Sequence, residues 1–285
     1  MSEVTSTSRD GSEKVRLRSG ALMPRVGFGT FRIDDKDAEG IVSDALAQGF
    51  RLIDTAQGYG NERGVGRALA ASALPRAQVF VTTKVSNDNH GRVATRSSVL
   101  ESIERVGSDY LDLVLIHWPL PHLGLAVETW EELSRLRQDG LIRDIGLSNF
   151  TGRHLDPILA TGIEPPAVHQ IEAHPFFPQP DAQAVNEANA IVTQSWSALA
   201  QGNGLLESVP IVHTAREVGV SPAQIVLRWH IQRGLAPLVK TRSPERMRLN
   251  LDVFRFDLSD DQMRRIATLD RAQRVGPDPD LFGSG

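Results

Sequence analysis

Short apolar or β-branched runs alternate along the chain with longer segments in which apolar residues recur at helical spacing. Eight runs read as strands: 25–29 (RVGFG), 51–55 (RLIDT), 79–85 (VFVTTKV), 111–118 (LDLVLIHW), 142–148 (IRDIGLS), 167–172 (AVHQIE), 191–196 (IVTQSW) and 236–240 (APLVK). The intervening helical segments include 35–49, with Ile41, Ala45 and Leu46 on one face. NERGVGRALAASAL, TRSSVLESIERVG, AVETWEELSRLRQDG, SPAQIVLRWHIQRG, SPERMRLNLDVF and SDDQMRRIATLD have the same character. A hairpin is expected in VRLRSGALMP, ahead of the first run.

Strand–helix alternation implies a parallel sheet with right-handed crossovers. Eight βα units spaced about 30 residues apart predict an α/β fold, a closed (β/α)8 barrel. The competing architecture is an open Rossmann sheet. Its G-x-G-x-x-G turn is missing after the first run, and GYGNERGVG has the wrong spacing and follows the second. The division expected is a disordered tail over 1–14, then a single barrel domain over 15–285 that ends in a C-terminal loop.

Composition narrows the chemistry. With no Cys, thiolate catalysis, disulfides and Cys-ligated metal are excluded. A net charge of −4 with interspersed signs gives no basic stripe for nucleic acid. MSEVTSTSRDGSEK lacks the apolar centre of a signal peptide, and no stretch reaches the length of a membrane span. A cytoplasmic protein is expected. Of 31 basic residues only four are Lys, namely Lys14, Lys36, Lys84 and Lys240, so a Lys inside an ordered element asks for a reason.

Active sites of such barrels sit at the C-terminal ends of the strands. Seven successive runs end in or near a polar or aromatic residue: Asp54 with Tyr59 just beyond it, Lys84, His117, Ser148 with Asn149, Gln170, Trp196, and Lys240. Asp54, Lys84 and His117 end three neighbouring strands, which lie about 5 Å apart. A carboxylate holds the Lys charged. The ammonium is expected to lower the pKa of a nearby phenol from about 10, making it a general acid. The chain has two Tyr, and Tyr110 begins its strand at the opposite end of the barrel, so Tyr59 is the candidate.

GFRLIDTAQGYGNE, FVTTKV, LVLIHWP, GLSNF, HQIEAHP and KTRSPERMRLNLDVF resemble the signature segments of the aldo-keto reductases, in order, from about Val15 to Phe282. Trp196 resembles the bacterial group that includes 2,5-diketo-D-gluconate reductases. The resemblance implies NADPH-dependent reduction of an aldehyde or ketone by hydride transfer. Tyr59 would be the general acid supported by Lys84 and Asp54, and His117 would orient the carbonyl. It further implies that Ser148, Asn149 and Gln170 hold the nicotinamide carboxamide and that Trp196 stacks on the ring. Ser197 and Leu199 belong to the loop over the pyrophosphate. Lys240, Thr241, Arg242 and Arg246 form the basic cluster at the adenosine 2′-phosphate, and Asn250 meets the adenine.

Phe31, Gln57, Ser86 and Trp118 are expected to line the substrate pocket. The partner is a small-molecule carbonyl, and the family default is a monomer. Four departures from the family pattern stand out. Leu249 replaces a Glu at the adenine amine, His169 replaces an Asn, Ser197–Ala200 replaces a Gly-Pro-Leu-Gly loop, and Ser86 stands where many relatives carry a Trp. The last predicts a wider, more polar pocket.

Three other readings compete. A zinc site in HQIEAH (169–174) would need His169 on the same face as Glu172 and His174, which strand alternation forbids. A non-catalytic cofactor-sensing barrel would not need Asp54, Lys84, Tyr59 and His117 together. An isomerase would not need the Lys-Thr-Arg segment.

Overall fold

The structure, a computed structural model, describes residues 13–283. The expected tail therefore lies, for residues 1–12, outside the described residues. An antiparallel hairpin, β1 (Lys14–Arg16) and β2 (Leu22–Pro24), comes first. Eight parallel strands follow: β3 (Gly27–Gly29), β4 (Leu52–Asp54), β5 (Phe80–Val85), β6 (Leu111–Ile116), β7 (Ile142–Ser148), β8 (Val168–Glu172), β9 (Val192–Trp196) and β10 (Ala236–Val239). They close in chain order, with β10 pairing β3. Closure removes both sheet edges and disposes of the open Rossmann alternative.

The period of two along each strand sorts the side chains. Ile53, Val81, Val114, Ile116, Ile145 and Leu147 face outward into the main core beneath the helices. Leu52, Phe80, Leu113, Leu115, Val168 and Leu238 point inward and pack with Leu17 and Met23 of the hairpin region. The hairpin thus plugs the N-terminal end, and the inward positions turn polar toward the other end. The interior is tight: a Cβ on Gly146 would lie 2.3 Å from the Val168 carbonyl oxygen and 2.7 Å from Leu115 Cδ2.

Ten α-helices surround the barrel among the described residues: α1 (Asp35–Ala47), α2 (Glu62–Ala71), α3 (Arg92–Val106), α4 (Ala126–Gln138), α5 (Gly152–Leu159), α6 (Pro180–Ala188), α7 (Val209–Val218), α8 (Pro222–Gln232), α9 (Pro244–Leu251) and α10 (Asp260–Ala267). Starts are chemically marked. Ser221 caps α8 and Ser259 caps α10, each with a Gln at the third helical position completing a capping box. Three helices, α5, α6 and α7, escape the periodicity. Pro157 interrupts α5, whose capping box uses His154 instead of Glu or Gln. Only Asn186 is buried in α6. Helix α7 begins on the exposed Val209 and packs on α8 and α10, forming a satellite core with Phe176 and Leu205. No helix among the described residues is long and apolar enough to cross a membrane.

Candidate active site

At the C-terminal end of the barrel a cavity of about 920 Å³ opens among the loops that follow the strands. Asp54, Tyr59, His117, Ser148, Asn149, Gln170, Trp196, Ser197, Leu199 and Lys240 line it, together with Phe31, Ser86 and Trp118. Lys84 lies directly beneath, fully buried.

The Lys84 ammonium donates to Asp54 Oδ1 at 2.6 Å, to the Thr55 carbonyl at 2.9 Å and to the Tyr59 hydroxyl at 3.3 Å. Its three N–H groups are satisfied, as a buried ammonium requires. Burial alone would lower the Lys84 pKa. The charges of Asp54 and Tyr59 and their hydrogen bonds outweigh it and leave the value raised, so this Lys is cationic at neutral pH. The second Asp54 oxygen, Oδ2, accepts from Gln170 Nε2 at 2.8 Å.

Tyr59 departs from the expected direction. Its phenol is raised above the ordinary value, because burial outweighs the lowering by Lys84 and the charge of Asp54 adds to the rise. The phenol therefore keeps its proton throughout the neutral range, which is the state a proton donor needs. Its ring meets Phe31 at 5.1 Å and His117 edge-on at 5.6 Å. Tyr110, at the other end of the barrel, is held between Arg76 and Arg143.

His117 is pushed down to about 3, by burial first and then by the Lys84 charge. It is a neutral imidazole at any physiological pH, able to donate one N–H. Three more buried histidines behave alike for the same first cause: His90 and His169 lie near 4 and His230 near 3. Each is depressed below the unfolded value of about 6.5, so between the two values the unfolded chain binds the extra proton. Stability then rises with pH up to about 6.5 and is lost as pH falls below it, by roughly 1.4 kcal/mol per pH unit for each group. Urea unfolding at pH 7 and pH 5.5 is expected to give a free energy several kcal/mol lower at the acid value. Equal values would show that these imidazoles are charged in the folded protein.

Asn149 is the brace of the site. It occupies the left-handed region at φ 64, which Asn tolerates. Its Nδ2 donates to the His117 carbonyl and to Ser148 Oγ, and its Oδ1 accepts from the Trp196 indole at 2.7 Å. One side chain thus fixes three strand ends and the plane of Trp196. Gln170 spends both amide hydrogens, on Asp54 and on Gln194, leaving Oε1 as its remaining acceptor. In the following loop Ser197 and Ala200 take φ values of 52 and 54. These are the two positions where the family pattern has Gly, so the strain of about 1–2 kcal/mol per residue that Gly avoids is carried here.

A cationic rim lies at one end of the cavity. Lys240 donates to the Phe31 carbonyl at 3.0 Å, and its pKa is lowered by burial and by neighbouring Arg32 and Arg242. Crowded cations of this kind favour an anion. Beyond it Ser243 caps α9, Thr241 Oγ1 accepts from the Ser243 amide, Arg246 is exposed and Asn250 is buried. An elongated anionic cofactor with a flat polar head fits this donor set.

Thr241, Arg246 and Asn250 lie beyond the cavity lining, and two further expected residues, Gln57 and Arg242, are engaged elsewhere. Gln57 sits in the short 3-10 turn 57–59 and points away from Tyr59. It accepts from the Ser86 amide and Asn89 and donates to Ser102, bordering a separate cavity of about 460 Å³. Arg242 is drawn to Asp37 of α1 at 2.9 Å. The HQIEAH segment forms no convergent ligand set: Glu172 and His174 bond each other, while His169 faces Asn186.

Conversely, Arg32, Asn87, Asp88, Leu206, Val275, Gly276, Pro277 and Phe282 line the cavity unforeseen. Phe282 stacks on Trp118 with centroids 4.1 Å apart. The stretch after residue 270 has no periodicity, and no motif marked its return over the barrel mouth.

The sequence profile described as Aldo/keto reductase family matches residues 25–271. A protein named Aldo-keto reductase from Mycobacterium sp. is 44% identical over 273 residues, covering 95% of this chain and 98% of its own. Methylglyoxal reductase DkgA of Escherichia coli is 41% identical over 271 residues, covering 94% and 98%. Among solved structures, a mutant of Gox0644 in complex with NADPH aligns with a TM-score of 0.90 at 38% identity, over 94% of this chain and 98% of that one.

Proposed function

The chain belongs to the aldo/keto reductase family, and on that premise we propose that it reduces small aldehydes or ketones with NADPH, using Tyr59 as the proton donor. The observation that carries this reading is the buried Lys84, bonded to Asp54 and in contact with the Tyr59 hydroxyl at the floor of an open cavity. NADPH, when bound, supplies the hydride to the carbonyl carbon.

The chain's own residues do the rest. Tyr59 gives its proton to the carbonyl oxygen as that oxygen gains negative charge. Lys84 stabilises the resulting phenolate, and Asp54 keeps Lys84 charged and in place. Neutral His117 donates a hydrogen bond to the same oxygen and so fixes the carbonyl's orientation. Ser148, Asn149 and Gln170 border the carboxamide end of the cofactor, with Gln170 Oε1 as acceptor. Trp196, its plane set by Asn149, offers its face to the ring. Ser197 and Leu199 cover the pyrophosphate. Lys240, Thr241 and Arg246 take the 2′-phosphate and Asn250 the adenine.

The substrate class follows from the cavity and the relatives. Ser86, Asn87 and Asp88 make one wall polar, which suits a small oxygen-rich carbonyl. The relative named methylglyoxal reductase points the same way. The test is NADPH oxidation with methylglyoxal beside larger aromatic aldehydes, and the reading fails if no carbonyl is turned over. The protein is read as cytoplasmic and monomeric.

Preference for NADPH over NADH rests on the cationic rim. Charge-assisted hydrogen bonds to a phosphate, each worth roughly 1.5–3 kcal/mol, give about a 10- to 100-fold preference from a single contact. Arg246→Ala is expected to lower kcat/KM with NADPH by about 10-fold and to leave NADH efficiency nearly unchanged. Leu249 weakens both cofactors alike and does not reverse the order. Equal losses with both would remove Arg246 from the phosphate site.

A further inference from the structure

Glu172 is a buried carboxylate that no step of the reaction uses. It ends β8 in register with Trp196 of β9, and its side chain is fully enclosed. Its Oε1 accepts from the Val275 amide at 2.5 Å and from His174 Nε2 at 2.9 Å, and its Oε2 accepts from the Gly276 amide at 2.9 Å. An ionised carboxylate is acceptor-only, and its charge-assisted bonds to backbone N–H groups are stronger than neutral ones. A buried charge is costly unless so bonded. These bonds meet that cost where the C-terminal segment passes the end of β8.

What the carboxylate holds is part of the pocket. Val275 and Gly276 line the cavity beside Trp196. Gly276 lies so close to the indole that a Cβ there would stand 2.3 Å from Trp196 Cη2 and 3.0 Å from Glu172 Oε2. Further on, Asp280 bonds Thr151 and Arg153 at the start of α5, and Phe282 stacks on Trp118. The segment is a strap tied at both ends, with its inner tie on the neighbour of Trp196.

We propose that Glu172 is a positioning residue: it clamps the strap against Trp196, and so sets both the roof of the carbonyl pocket and the backing of the ring that faces the cofactor. The assignment rests on the carbonyl-reductase reading for its kinetic consequence only; the clamp itself is a matter of where the strap lies.

The substitution Glu172→Gln turns an NH2 toward one of the two strap amides, donor against donor. In the holoenzyme with NADPH, trypsin should then cut after Arg274, whose guanidinium rests on Phe177, about 10-fold faster than in wild type. KM for methylglyoxal should rise about 10-fold while kcat stays within about 3-fold, because the Asp54–Lys84–Tyr59 group does not touch Glu172. Gly276→Ala keeps the Glu172 carboxylate and displaces the strap by contact of the new Cβ with Trp196 and with Glu172 Oε2. It should give the same faster cleavage and raised KM, and it decides the matter if the Glu172 variant does not fold. Wild-type cleavage rates in both variants, or a fall in kcat with cleavage unchanged, would overturn the proposal. If the wild-type protein turned over no carbonyl with NADPH, the carbonyl-reductase reading would fail while the cleavage result still stood.

Discussion

Tyr59→Phe is expected to lower kcat for carbonyl reduction by about 10²- to 10⁴-fold, the usual worth of a positioned proton donor, which is about 3–5 kcal/mol of barrel-supplied stabilisation. The substitution isolates the hydroxyl. The ring keeps its contacts with Phe31 and His117, and the polar partner lost is Lys84. NADPH affinity, followed by quenching of tryptophan fluorescence, should stay within about 2-fold, since loss of this hydroxyl removes less than one ordinary hydrogen bond of binding. The wild-type pH profile carries the same logic. Burial holds the phenol above its ordinary value, so the protonated form persists through neutral pH and reduction should not decline until pH passes about 10. A variant with near-wild-type kcat would take the proton-transfer role from Tyr59.

Much of this site was written in strand–helix alternation. Asp54, Lys84, His117, Gln170, Trp196 and Lys240 lie at or near the C-terminal ends of β4, β5, β6, β8, β9 and β10, and that place in the strand–helix order was enough to collect them. The rarity of Lys marked Lys84. What alternation does not carry is rotation within a turn. Gln57 is two residues from Tyr59, yet the 3-10 turn directs it to Ser102 and Asn89. Nor does it carry the balance between burial and charge. The Lys84–Tyr59 contact was foreseen, but its lowering effect is smaller than the desolvation of the phenol, and the net direction reverses. The strap escaped because Val275 and Gly276 are held through backbone amides, which leave no residue pattern. Helices α5 to α7 escaped because Pro157 reads as a helix breaker inside α5, α6 buries a single residue, and α7 buries its apolar residues in a satellite core.

Lys84→Met should be as damaging to catalysis as loss of the phenol, and it should also weaken the fold. Methionine fills most of the volume but cannot donate, so the nearly enclosed Asp54 keeps its Gln170 bond and loses its cation. Breaking a buried pair by removing one member costs about 3–5 kcal/mol, because the remaining charge is left uncompensated. Urea unfolding at pH 7 should register a loss of that size, and kcat should fall by about 10²-fold or more as Tyr59 loses the charge that stabilises its phenolate. These two effects have different origins and can be separated. Adding Asp54→Asn to Lys84→Met removes the stranded charge, and neutral replacements of a whole buried pair are often tolerated. The double variant should therefore recover most of the stability lost in Lys84→Met and none of the activity. If activity returned together with stability, Lys84 would be only a structural partner of Asp54, and the phenol would need another source of stabilisation. If neither returned, the cost would lie in how the thioether side chain packs beneath the cavity and not in the charge left on Asp54.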